Sequence, residues 1–149
     1  MKKRRILLVD DDVNVLDALN RTLRNDAEEI FKCTNAFDAY ELIEREKGDI
    51  DLVISDNKMP VVEGTALLVA IRRNFPDIVR IMLTGQSSLK DAERAVNGGE
   101  VFKFLVKPCE PEVLIEIVNE AFQHKDLCDA KRSLIEEVKK GIDDEGADN

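Results

Sequence analysis

The apolar residues of this chain change period repeatedly. Ile6-Leu7-Leu8-Val9 is a short unbroken apolar run that stops at Asp10-Asp11-Asp12, the pattern of a strand buried on both faces. Val13, Leu16, Leu19 and Leu23 then recur at helical spacing, with Asp11 or Asp12 placed to cap that helix. Glu29 to Thr34 reads as a weaker strand, and Ala36, Ala39, Leu42 and Ile43 as a second helix ended by Lys47-Gly48. Asp51 to Asp56 is another apolar run closed by an acid, followed by a loop over Asn57 to Gly64 that contains Pro60. Leu67, Leu68 and Ile71 mark a third helix, broken at Phe75-Pro76-Asp77, and Ile78 to Leu83 a fourth strand ending in Thr84-Gly85. Leu89, Ala92, Ala95 and Val96 make a fourth helix stopped at Asn97-Gly98-Gly99; Val101 to Val106 is a fifth strand before Lys107-Pro108. A fifth helix starts near Glu110.

Strands alternating with helices predict an α/β fold, with a five-stranded parallel sheet covered on both faces. Ligands of such sheets bind beyond the carboxyl ends of the strands. The residues at those ends are Asp10, Asp11 and Asp12, then Asp56, Thr84 and Lys107, with only Thr34 and Asn35 after the second strand. A polar strand end means little singly. Several acids, a hydroxyl and an amine converging on one rim mean more.

Charge narrows the picture. The chain has 149 residues, 44% hydrophobic, with 22 basic against 31 acidic residues and a formal net charge of −9. Such a field opposes binding to nucleic acid or an anionic membrane, so the basic start Lys2 to Arg5 reads as a solvated end. The apolar fraction supplies a core, and no apolar run approaches the roughly 18–20 residues of a membrane span. Ile6 to Val9 is too short for a secretory signal. Cys33, Cys109 and Cys128 are scattered without CxxC spacing, which predicts reduced, core or rim thiols in a cytoplasmic protein. The single histidine, His124, argues against a multi-histidine metal site and most histidine-based catalysis.

Crowded carboxylates repel unless a cation neutralises them. With no His or Cys in the set the donors are oxygens, which selects a hard ion, Mg²⁺. A metal with open positions, a lysine and a threonine hydroxyl together form a receptor for a tetrahedral phosphoryl dianion. Asp56, alone on its strand beside a loop, is the candidate nucleophile for an acyl phosphate.

The runs Leu7-Leu8-Val9-Asp10-Asp11-Asp12, Leu52-Val53-Ile54-Ser55-Asp56-x-x-Met59-Pro60-x-x-x-Gly64, Leu83-Thr84-Gly85 and Phe104-Leu105-Val106-Lys107-Pro108 resemble the receiver domain of two-component response regulators. The likeness covers about residues 4 to 124. It implies a flavodoxin-like strand order 2-1-3-4-5 and phosphorylation of Asp56 by a sensor histidine kinase or phosphotransfer protein. It also implies that Asp11, Asp56 and the backbone carbonyl of Lys58 hold Mg²⁺, with Asp10 acting through a metal-bound water. Lys107 and Thr84 would bind phosphoryl oxygens, and the backbone N–H groups of Asn57 and Gly85 would complete the cradle. Phe104 would be the aromatic that follows Thr84 in switching, and the Lys107-Pro108 bond would be cis. The stretch Val79 to Pro108 is similar to receivers that often precede HD-GYP or other signalling outputs, although Cys109 stands where those carry an aromatic.

Plainer readings stand beside these. Asp10-Asp11-Asp12 could be a helix cap cluster, Phe104 a packed strand aromatic, and Lys58 and Gln86 exposed loop residues rather than regulators of water access. Leu127, Leu134 and Val138 continue an apolar stripe at spacings of seven and four. They predict a helical extension over 125–140, either a dimer seam or a tail folded on its own domain, before an acidic flexible tail at 141–149. The expected function is a phosphoacceptor switch acting on a downstream output protein or domain, not an enzyme with an external substrate. The alternatives are a receiver-fold interaction module indifferent to phosphorylation, and a haloacid-dehalogenase-type phosphohydrolase. The latter pattern needs Asp-x-Asp-x-Thr/Val, and here Asn14 occupies the final position.

Overall fold

The computed structural model describes residues 4–98 and 101–147. Five strands form one parallel sheet: β1 (Arg5–Val9), β2 (Glu29–Cys33), β3 (Leu52–Asp56), β4 (Val79–Thr84) and β5 (Lys103–Val106). Their order is β2-β1-β3-β4-β5, as the resemblance implies. The order reverses beside β1, which leaves a crevice above the carboxyl ends of β1 and β3.

Side-chain alternation along β1 divides the core. Leu7 and Val9 point to the face covered by α2 (Ala36–Arg45), α3 (Gly64–Asn74) and α4 (Leu89–Asn97). Ile6 and Leu8 point to the face covered by α1 (Val13–Leu23) and α5 (Pro111–Ala147). Each helix supplies the residues its spacing predicts, such as Leu16, Leu19 and Leu23 from α1 and Leu67, Leu68 and Ile71 from α3. Asp12 caps α1 by accepting from the N–H of Asn14 at 2.9 Å, and Asn35 caps α2 by accepting from Asp38 at 2.8 Å.

Two expectations change. The fifth strand is shorter than Val101 to Val106, because Val101 and Phe102 precede the β4 ladder; Val101 fills the α4-side core instead. The fifth helix is longer than expected. It runs unbroken to Ala147, through most of the segment 141–149 expected as a flexible tail; Asp148 and Asn149 lie outside the described residues. Gly141 costs a helix only about 1 kcal/mol, and Glu136 and Lys140 stand at the i,i+4 spacing that favours it.

The first turns of the extension beyond residue 124 are tied to the body. Arg4 donates to both carboxylate oxygens of Asp126 at 2.9 and 2.7 Å. Lys125 is buried and pairs with Asp129 at 3.1 Å, and Arg132 joins Asp129 to Asp77 beside β4. Leu127, 71% exposed, and Leu134, Ile135, Val138 and Ile142 face solvent.

Candidate functional site

Register brings the rim together. Val9 of β1 lies level with Ser55, so Asp10 and Asp56 follow each other across the crevice. Thr84 lies level with Val106, which sets Lys107 just beyond it. The N–H of Lys107 donates to the Thr84 carbonyl at 2.8 Å, and that of Asp10 to the Cys33 carbonyl at 3.1 Å.

Carboxylate oxygens of Asp10, Asp11 and Asp56 all lie within 4.8 Å of one another. Asp10 is 1% and Asp56 8% exposed, whereas Asp11 is open to solvent. Lys107 Nζ donates to Asp10 Oδ2 at 2.8 Å and stands 3.4 Å from Asp56 Oδ1. The other Asp10 oxygen accepts from the N–H of Asp12 at 2.9 Å. Asp56 Oδ1 accepts from the N–H of Asn57, also at 2.9 Å. Burial, then the Asp10 charge, pushes the Asp56 carboxyl above its ordinary pKa, against the pull of Lys107. Burial alone would lower the Lys107 ammonium; its hydrogen bond to Asp10 and the charges of both acids hold it above its usual value instead. The three acids form an all-oxygen donor set with one open side. That set fits Mg²⁺, which takes a few carboxylates and keeps water.

The other expected residues lie around this cluster. Thr84 is fully buried, and its hydroxyl donates to the Gly85 carbonyl at 3.3 Å. Gly85 has an extended backbone with open space where a Cβ would stand, so packing does not require glycine there. Phe104 is half-buried against the α2–α3–α4 side of the core. The Lys107-Pro108 bond is cis. Cys33 is buried and Cys109 half-buried, and burial pushes both thiols up.

Three features exceed the sequence reading. A Cβ on Gly64 would fall 1.9 Å from the Asp56 carbonyl oxygen, so only glycine lets α3 start this close to the acid. Asn57, fully buried, clasps the same turn: its carbonyl accepts from the N–H of Gly64 at 2.8 Å, and its Oδ1 from the Thr65 hydroxyl at 2.5 Å. The Lys58 side chain reaches Glu63 at 3.4 Å and Asp91 of α4 at 3.8 Å, joining the rim loop to that helix. Gly64 stands where a loop ends and a helix begins, which can signal a close approach, but neither the Asn57 clasp nor the Lys58 bridge leaves a periodic trace.

Known proteins resemble this chain in sequence and fold. The sequence model of the response regulator receiver domain matches residues 6–119. The hydrogenase transcriptional regulatory protein HoxA of Bradyrhizobium diazoefficiens is 36% identical over 118 residues, 79% of this chain and 24% of that protein. The transcriptional regulatory protein GlrR of Escherichia coli is 33% identical over 122 residues, 82% of this chain and 27% of that protein. The chain thus spans about a quarter of the length of these relatives. Among solved structures, an adenylate cyclase from Rhodopirellula baltica superposes with a TM-score of 0.84 at 37% identity, covering 91% of this chain and 98% of that one. A response regulator receiver domain protein from Clostridium thermocellum gives 0.79 at 30% identity, covering 84% and 98%.

Proposed function

The chain belongs to the response regulator receiver domain family, and on that premise we propose that Asp56 is its phosphoacceptor. The donor is the phosphohistidine of a sensor histidine kinase or phosphotransfer protein. An Asp56 carboxylate oxygen forms the O–P bond as the P–N bond breaks, and the electron pair returns to the donor imidazole. Asp11, Asp56 and the Lys58 carbonyl would hold Mg²⁺, with Asp10 acting less directly, and the ion would supply positive charge against the crowded acids and the transferring oxygens. Lys107 takes one phosphoryl oxygen. Thr84 turns from the Gly85 carbonyl to another, and the N–H groups of Asn57 and Gly85 complete the cradle.

One observation supports Asp56 over Asp10. Both Asp10 oxygens already accept, from Asp12 and Lys107. Asp56 is anchored through Oδ1, and among the described residues no donor reaches its Oδ2. The same asymmetry disfavours a dehalogenase-type reaction centred on Asp10.

Phosphorylation then biases a two-state equilibrium. Thr84 moves inward, Phe104 follows, and the surface of α4 and α5 changes for a downstream output protein or domain. The protein acts as a signalling phosphoacceptor without an external substrate, in the cytoplasm and without direct nucleic-acid contact; its solvent-facing α5 stripe suits a homodimer. No described helix is long and apolar enough to cross a membrane. The test is incubation with Mg²⁺ and a small phosphate donor, followed by intact-mass measurement and peptide mapping. One phosphoryl group on Asp56, absent in Asp56→Asn, is expected; modification elsewhere or none overturns the reading.

A further inference from the structure

Far from the phosphoacceptor rim, α5 carries a second cluster of metal-binding side chains. His124 and Cys128 stand at i and i+4, on one face of the helix, with the cysteine sulfur 3.6 Å from His124 Nε2. Zinc bonds of about 2.3 Å to sulfur and about 2.0–2.1 Å to nitrogen, meeting at a tetrahedral angle, separate the two donors by about 3.6 Å. The pair therefore stands at the bite distance of one soft or borderline ion. The imidazole is held in place by stacking on Phe102, with ring centroids 4.8 Å apart and planes 25° apart.

Two donors are half a tetrahedral set. Among the described residues no third histidine, cysteine or acid groups with them; the only cluster of three is at the phosphoacceptor rim. Asp77, which lines the same small cavity, is engaged by Arg132. No described residue of the chain supplies the missing donors, and the helix itself indicates a source. His124, Cys128, Lys131, Ile135, Val138 and Ile142 alternate spacings of four and three, the d-a-d-a-d-a order of a two-stranded seam. Ile135, Val138 and Ile142 on that seam are solvent-facing in the single chain. In a parallel pair, like positions meet like, so one His124–Cys128 pair faces its copy and together they make a Cys₂His₂ set. Lys131 is the polar seam position that fixes register at some cost in stability.

We infer that His124 and Cys128 form half of a zinc-class metal site completed by a second copy of this chain across the α5 seam. The ion would sit on the two-fold axis, each thiol releasing its proton to solvent on binding. The inference does not depend on Asp56, so the two readings fail separately.

The experiment is a Co²⁺ titration of the metal-stripped full chain under a non-thiol reductant, with excess Mg²⁺ to occupy the oxygen-donor rim. Expected are a sulfur-to-cobalt charge-transfer band and an intense tetrahedral visible band. Both should saturate at one cobalt per two chains, with a doubling of mass in light scattering that chelator reverses and zinc preserves while bleaching the colour. Cys128→Ser and His124→Gln should each abolish band and mass change with the circular dichroism intact, and Cys109→Ser should leave both. Absence of the sulfur band, its persistence in Cys128→Ser, or saturation at one metal per chain on a monomer would overturn the inference. A dimer indifferent to chelator would do so as well, because the apolar seam alone would then account for pairing.

Discussion

Lys107 reaches back 97 positions to Asp10, its Nζ 2.8 Å from Oδ2, across the carboxyl end of the sheet. The contact presets an ammonium 3.4 Å from Asp56 while leaving that acid less engaged than its neighbour. The lysine thus offsets the repulsion between the two acids, and in the proposed function it is the group that takes a phosphoryl oxygen. Lys107→Met should slow self-phosphorylation from a small donor at least tenfold, about 1.4 kcal/mol in barrier. It should also uncouple any remaining modification from changes at α4. Timed intact-mass measurements and amide exchange over residues 84–97 check both.

Magnesium should stabilise the fold by binding the native state alone. At a hundred times its dissociation constant the gain is about 2.7 kcal/mol; denaturant curves with Mg²⁺ or chelator measure it. Asp11→Asn and Asp56→Asn should remove most of this gain.

The metal-free pH dependence has a definite sign. Burial and Asp10 raise the folded-state pKa of Asp56. Its protonation therefore favours the folded state, a contribution fully present below the unfolded carboxyl pKa and lost as pH rises through the raised folded one. Asp56→Asn should melt higher than the parent protein at neutral pH in chelator, with the difference closing as pH falls through that window. A constant difference would show that the charge is not its source.

Gly64→Ala tests the close approach of α3. Its Cβ would stand 1.9 Å from backbone, which cannot yield as a flexible side chain can. A loss of about 3 kcal/mol is expected, together with slower phosphorylation because Asp56 shifts. Urea unfolding and the small-donor assay read the two effects.

Val61 lies in the same loop and carries the opposite expectation. It has φ of 70° and is 93% exposed, with the N–H of Val62 donating to the Pro60 carbonyl at 2.8 Å across it. A β-branched residue in this γ-turn is strained and gains no packing. Val61→Gly should raise stability by about 1 kcal/mol, measured by the same unfolding curves, with little change in phosphorylation.

The strands and the acids that close them were legible because burial on both faces leaves unbroken apolar runs, and Asp10, Asp56, Thr84 and Lys107 interrupt those runs at their ends. The limits of α5 were not. Arg4, Asp126, Asp129, Asp77 and Arg132 extend the folded body by ion pairs, and charged pairs between distant residues have no period.

By itself the sequence determined the α/β alternation and the chemistry available at the strand ends, because hydrophobic period and residue type are local properties of the chain. Tertiary structure decided which oxygen of which acid is engaged, why residue 64 must be glycine, and that the lone His124 stacks on Phe102. Those depend on ångström distances between elements, which are fixed only when the sheet register and helix packing bring separate segments into contact.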